Sequence, residues 1–71
     1  MNVELTPVTS STIEAFGYDP ALSELYVQFK SGAVYTYTNV ESETYSALCE
    51  ADSFGKFLNA NIKGHYEYIK S

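Results

Sequence analysis

Leu25-Tyr26-Val27-Gln28-Phe29-Lys30-Ser31-Gly32-Ala33-Val34-Tyr35-Thr36-Tyr37-Thr38 is the stretch on which the fold turns. Leu25, Val27 and Phe29 alternate with Tyr26, Gln28 and Lys30, the period of two that marks a strand with one buried face. Ser31-Gly32 marks a tight turn, and Ala33 to Thr38 returns in β-branched and aromatic residues, so the segment reads as a β-hairpin. With Ser31 and Gly32 as the two loop residues, Phe29 faces Val34, Val27 faces Thr36 and Tyr26 faces Tyr37. That register puts Leu25, Val27, Phe29 and Val34 on an apolar face for helices to cover. Tyr26, Tyr35 and Tyr37, with Gln28 and Lys30, fall on the opposite face. A one-residue bulge in the turn would exchange part of these faces.

Upstream, Ser11 to Gly17 reads as a strand with Ile13, Ala15 and Gly17 on one side. Tyr18-Asp19-Pro20-Ala21 follows as a turn, in which Pro presets φ and Asp bonds the backbone ahead of it. Residues 1–10 form a lead-in, irregular or packed at an edge, because Pro7 interrupts a regular strand. Downstream the period changes. Tyr45, Leu48, Cys49 and Asp52 are spaced for a helix over Val40 to Ala51, with Glu41 and Glu43 near its positive end. Ser53 is placed to cap a second helix, along which Phe54, Phe57, Leu58, Asn61 and Ile62 recur. Gly64 suits the left-handed residue that ends it. Tyr66 and Tyr68 alternate with Glu67 and Ile69 in a closing strand. The expectation is an α+β fold, a small antiparallel β-meander in the order β-β-β-α-α-β with two short helices on one face. One domain spans residues 11–71.

Seventy-one residues leave room for one core and a thin stability margin. A single cysteine and a single histidine exclude an internal disulfide and most metal sites, so no cofactor or metal is expected. Seven tyrosines and four phenylalanines must supply much of the buried area. The N-terminus has no basic start followed by an apolar run, and no segment is long enough to span a bilayer. A cytoplasmic protein without membrane contact is the expectation, since an unpaired cysteine fits a reducing compartment.

The net charge of −5 argues against bulk DNA or RNA binding. Its distribution is uneven. Residues 1–52 balance at −7, whereas residues 53–71 carry Lys56, Lys63 and Lys70 against Glu67 alone. An anion-tolerant surface would therefore lie in the C-terminal segment.

Tyr35 and Tyr37 form the first candidate feature, an aromatic platform on which a base stacks. Packing into the core is the stronger reading, because so small a domain needs its large side chains inside. Lys56, Asn59 and Lys63 fall at i, i+3 and i+7 and share a helical face, where ammonium and amide donors hold a phosphate. An ordinary solvated helix face competes with this. His65 reads as a surface residue, Cys49 as a buried structural thiol, and Glu41, Glu43, Glu50 and Asp52 as a solvated acidic face. No nucleophile, acid–base pair or glycine-rich phosphate loop is recognisable, so no catalytic residue is expected.

Ser11-Thr12-Ile13-Glu14-Ala15-Phe16-Gly17-Tyr18-Asp19, the hairpin strings Leu25 to Gly32 and Val34 to Val40, Asp52 to Asn59, and Ile62-Lys63-Gly64-His65-Tyr66 together resemble the KTSC domain family. The resemblance runs from about Ser11 to Ile69 and sets the family's tyrosine-x-tyrosine on Tyr35 and Tyr37. It implies a stand-alone form of a domain also found at the C-terminus of some lysyl-tRNA synthetases, in bacteria or their phages. Glu41 stands where the family usually has a helix-starting proline, and the chain has no arginine. The resemblance implies a non-catalytic binding module rather than an enzyme. Its expected ligand is nucleotide-like, an RNA end or loop or a small nucleotide, sequestered in a phage setting. Bases would meet Tyr35, Tyr37 or Tyr66, and phosphates would meet Lys56, Asn59, Asn61 and Lys63. The alternative is a protein-interaction or homo-oligomerisation module using the tyrosine face or an open strand edge.

Overall fold

The hairpin forms where its alternation places it, but with three loop residues rather than two. In the computed structural model, which describes residues 5–70, its strands are β3, Glu24–Phe29, and β4, Val34–Tyr37. Phe29 N–H donates to Ala33 O and Gly32 N–H donates to Phe29 O, both at 2.9 Å, so Lys30, Ser31 and Gly32 make the loop. Gly32, at φ +98°, supplies the left-handed residue that closes such a turn. The extra residue shifts the pairing by one: Leu25 faces Tyr37, Val27 faces Tyr35, and Tyr26 faces Thr36. Tyr35 and Tyr37 therefore share a face with Leu25 and Val27. The expected division, with both tyrosines opposite the apolar face, is corrected by the turn.

Three further strands complete one antiparallel sheet of five in the order β1-β2-β3-β4-β5: β1 is Thr6–Pro7, β2 is Ile13–Asp19 and β5 is Tyr68–Lys70. The lead-in is thus edge-packed and adds a two-residue strand, with Pro7 at the sheet margin where a missing N–H is tolerated. In β2, Ile13 pairs with Phe29 but Ala15 pairs with Gln28, so a bulge lies between them. After it the parity reverses, and Phe16 rather than Ala15 faces the helices. The expected grouping of Ile13, Ala15 and Gly17 on one side fails there. Asp19 behaves as read, its Oδ1 accepting from Ala21 and Leu22 N–H at 3.0 and 3.4 Å.

Helix α1, Ser42–Glu50, and helix α2, Phe54–Phe57, cover one face of the sheet. Phe16 meets Phe54 and Tyr45 edge-on, at 5.2 and 6.0 Å between centroids. The core joins Ile13, Phe16, Leu25, Val27 and Tyr37 from the sheet side to Val40, Leu48, Leu58 and Ile62. Ser53 caps α2, its Oγ accepting from Lys56 N–H at 3.4 Å. The expected second helix does not continue as α. Leu58–Ile62 is a π-helical segment, closed by Lys63 N–H donating to Leu58 O at 2.7 Å. Gly64 follows at φ +84°. Cys49 is exposed rather than buried, since α1 turns Leu48 into the core and Cys49 falls on its flank. No helix among the described residues is long and apolar enough to cross a membrane.

Candidate functional site

The helix layer does not cover the whole of its sheet face. Near the β3–β4 turn a pocket of about 420 Å³ lies between the sheet, the turn and the end of the π-helical segment. Its apolar lining is Phe29 and Tyr35, whose rings meet edge-on at 5.3 Å. Lys30 enters from the turn, Lys63 from the end of the π segment, and Lys70 from β5. Ser11 and Thr12 close another side. They are held there because Thr12 O accepts from Lys30 N–H at 3.0 Å, and Ser10 Oγ accepts from the N–H groups of Thr12 and Ile13.

Three of the chain's four lysines thus line one pocket, and no carboxylate is among its described lining residues. The strand pairing explains part of this convergence. Lys70 pairs with Tyr35 across β4 and β5, so both side chains emerge on the same face. Its ammonium stands 5.9 Å over the centre of the Tyr35 ring. Tyr68 stacks on the same ring at 5.1 Å, and Tyr37 lies nearly parallel to it at 6.3 Å. Tyr35 is half-buried within this cluster, which fixes the ring in place.

Of the residues expected to bind, the structure brings Tyr35 and Lys63 together. Tyr37 is not part of the pocket lining. Its ring is 1% exposed, and burial first, then the neighbouring phenols Tyr35 and Tyr68, push its hydroxyl pKa up. Lys56 and Asn59 are exposed but lie outside the pocket lining. The i, i+3, i+7 face they were to share with Lys63 assumes α-helical spacing, which the π segment breaks. Asn61 and Tyr66 line a separate cleft of about 360 Å³ with Glu41, Glu43, Thr44, Ala47 and Phe57. There Tyr66 and Thr44 share a hydroxyl hydrogen bond of 3.3 Å, and Asn61 Nδ2 donates to Phe57 O at 3.4 Å. His65 is exposed, as read. Phe29, Lys30 and Lys70 are the residues that sequence reasoning missed. Their signal was present only as sheet register, which would have set Lys70 beside Tyr35.

The family model for the KTSC domain matches residues 9–66. A protein of Tsukamurella paurometabola is 42% identical over 65 residues, covering 92% of this chain and 97% of that protein. A lysine–tRNA ligase of Nostoc sp. is 34% identical over 58 residues, covering 82% of this chain but 10% of the ligase. Among solved structures, a KTSC domain protein from Yersinia pestis superposes with a TM-score of 0.95 at 33% identity, over 99% of both chains.

Proposed function

The chain belongs to the KTSC domain family, and from that premise we propose that it is a non-catalytic module that binds a small nucleotide-like anion. The observation that carries this reading is the convergence of Lys30, Lys63 and Lys70 on a pocket walled by Tyr35 and Phe29. Its volume of about 420 Å³ falls in the range of about 300–1,000 Å³ common to small-molecule sites. Ammonium groups attract phosphate as point charges, and an aromatic wall favours a planar base by about 1–3 kcal/mol. One local cationic spot suits a small ligand. A long RNA would run out over a surface with nine acidic residues and only one further lysine. The similarity to a lysine–tRNA ligase supports the terminal nucleotide of an RNA as one source of such a group. A cytoplasmic setting belongs to the same reading.

Calorimetric titration at low salt with mononucleotides, dinucleotides and short RNAs tests it. Lys63→Ala is expected to weaken binding about tenfold, the scale of one charge-assisted hydrogen bond. Lys56→Ala, outside the pocket lining, is expected to leave it nearly unchanged. Failure of every ligand to bind, or equal losses from both variants, would overturn the assignment.

A second reading is favoured by the outer edge of β5. Tyr68 and Ile69 are 53% and 63% exposed on a strand whose outer edge has no described partner. A protein docking there would add a strand to the sheet. Such docking would weaken little with salt, whereas phosphate binding would weaken steeply.

A further inference from the structure

The Lys70 ammonium over Tyr35 means that a ligand does not meet a bare ring. Both residues line the pocket, and register rather than chance pairs them across β4 and β5. The ring itself cannot easily turn aside, since Tyr37 and Tyr68 lie stacked against it and Phe29 meets it edge-on. Lys70 is exposed, with its stem on an edge strand, so its ammonium has room to move.

We propose that Lys70 is the specificity-determining residue of the pocket, resting on the Tyr35 ring until an anionic group on the ligand draws it away. This rests on the nucleotide-like reading above and deepens it: ring and anion must arrive in one molecule. An uncharged planar ring would have to displace the ammonium with nothing to receive it. An anion without a ring would draw the ammonium off but leave Tyr35 uncovered. A nucleoside phosphate supplies both groups, so the phosphate releases the surface on which the base then packs. Specificity of this kind is a difference between affinities, with the cation–aromatic contact as the element that works against the wrong ligand. At an exposed site that contact corresponds to about a two- to fivefold preference.

The test is a titration of the native chain and of Lys70→Ala, which leaves no side chain long enough to cover the ring, with three probes: adenosine, inorganic pyrophosphate and ADP. In the native chain ADP is expected to bind more tightly than either fragment. Lys70→Ala is expected to weaken pyrophosphate and ADP, yet to strengthen adenosine about two- to fivefold as the ring is uncovered. In parallel, the Lys70 side-chain methylene protons should show ring-current shifts by NMR that relax when ADP is added. If Lys70→Ala lowers adenosine binding too, or leaves all three probes unchanged, Lys70 is not the selector, while ADP binding by the native chain would still uphold the pocket. If the native chain binds none of the probes, the pocket assignment and this inference fall together.

Discussion

Tyr37 buries its ring almost completely, and its hydroxyl has no hydrogen-bond partner among the described residues. A buried hydroxyl without a partner loses its water and gains nothing in return. Tyr37→Phe is therefore expected to raise stability by about 1 kcal/mol, or roughly 4–8 °C in Tm for a domain of this size. Thermal unfolding checks it, and a loss of stability would mean that the hydroxyl has a partner in solution. Tyr26 is the opposite case. It donates to Glu24 Oε1 at 2.6 Å, and its pKa is pushed up to about 12, first by that bond, then by burial, then by the charges of Glu24 and Asp19. Burial also raises the phenols of Tyr37 and Tyr45, with Cys49 adding to the rise at Tyr45. A phenol that holds its proton longer in the folded state stabilises the fold fully below pH 10, the ordinary tyrosine value. That contribution is lost as pH rises through about 12. Denaturant melts above pH 10 should show falling stability, and Glu24→Gln should move the Tyr26 titration back down.

The turn between β3 and β4 decides which face the tyrosines occupy. Gly32 sits at φ +98° with nothing within 4 Å of where a Cβ would project. Gly32→Ala is thus a nearly pure backbone test, expected to cost about 1–2 kcal/mol in a chemical melt. No loss would mean that the loop can close another way. Strands β2 to β4 were legible from alternation, and the cap at Ser53 and the left-handed Gly64 from residue type, whereas β1 fell within the lead-in and β5 begins at Tyr68 rather than Tyr66. Register was not, because Lys30-Ser31-Gly32 is compatible with two or three loop residues and one residue exchanges the faces. The bulge after Ile13 was hidden for a similar reason: Ile13-Glu14-Ala15 alternates acceptably without it. The π segment was invisible because Leu58 and Ile62, the two buried residues in it, are four apart and fit an α-helix equally well.

At the scale of the whole molecule, a sheet covered on one face leaves part of that face open near the turn, and the cations gather there. Charge asymmetry pointed to Lys56, Lys63 and Lys70 in the C-terminal segment, of which Lys63 and Lys70 line the pocket, and the tyrosine-x-tyrosine contributes Tyr35 but not Tyr37 to its wall. Lys30 is far along the chain from Lys63 and Lys70, and the β3–β4 turn and the β4–β5 pairing bring them to one pocket, which no local spacing reveals. Salt would screen the attraction of the three pocket lysines for an anion, and the net charge of −5 would offset part of that loss because its repulsion is screened as well. Raising salt from about 50 to 200 mM should weaken an anionic ligand severalfold and leave a protein partner little affected. The most direct measurement is a two-dimensional amide NMR titration of the isotope-labelled chain with ADP. Shifts centred on Ser11, Thr12, Lys30 to Ala33, Tyr35, Lys63 and Lys70 are expected. Shifts centred instead on the Glu41–Tyr66 cleft, or no shifts at saturating ADP, would contradict the pocket as the binding site.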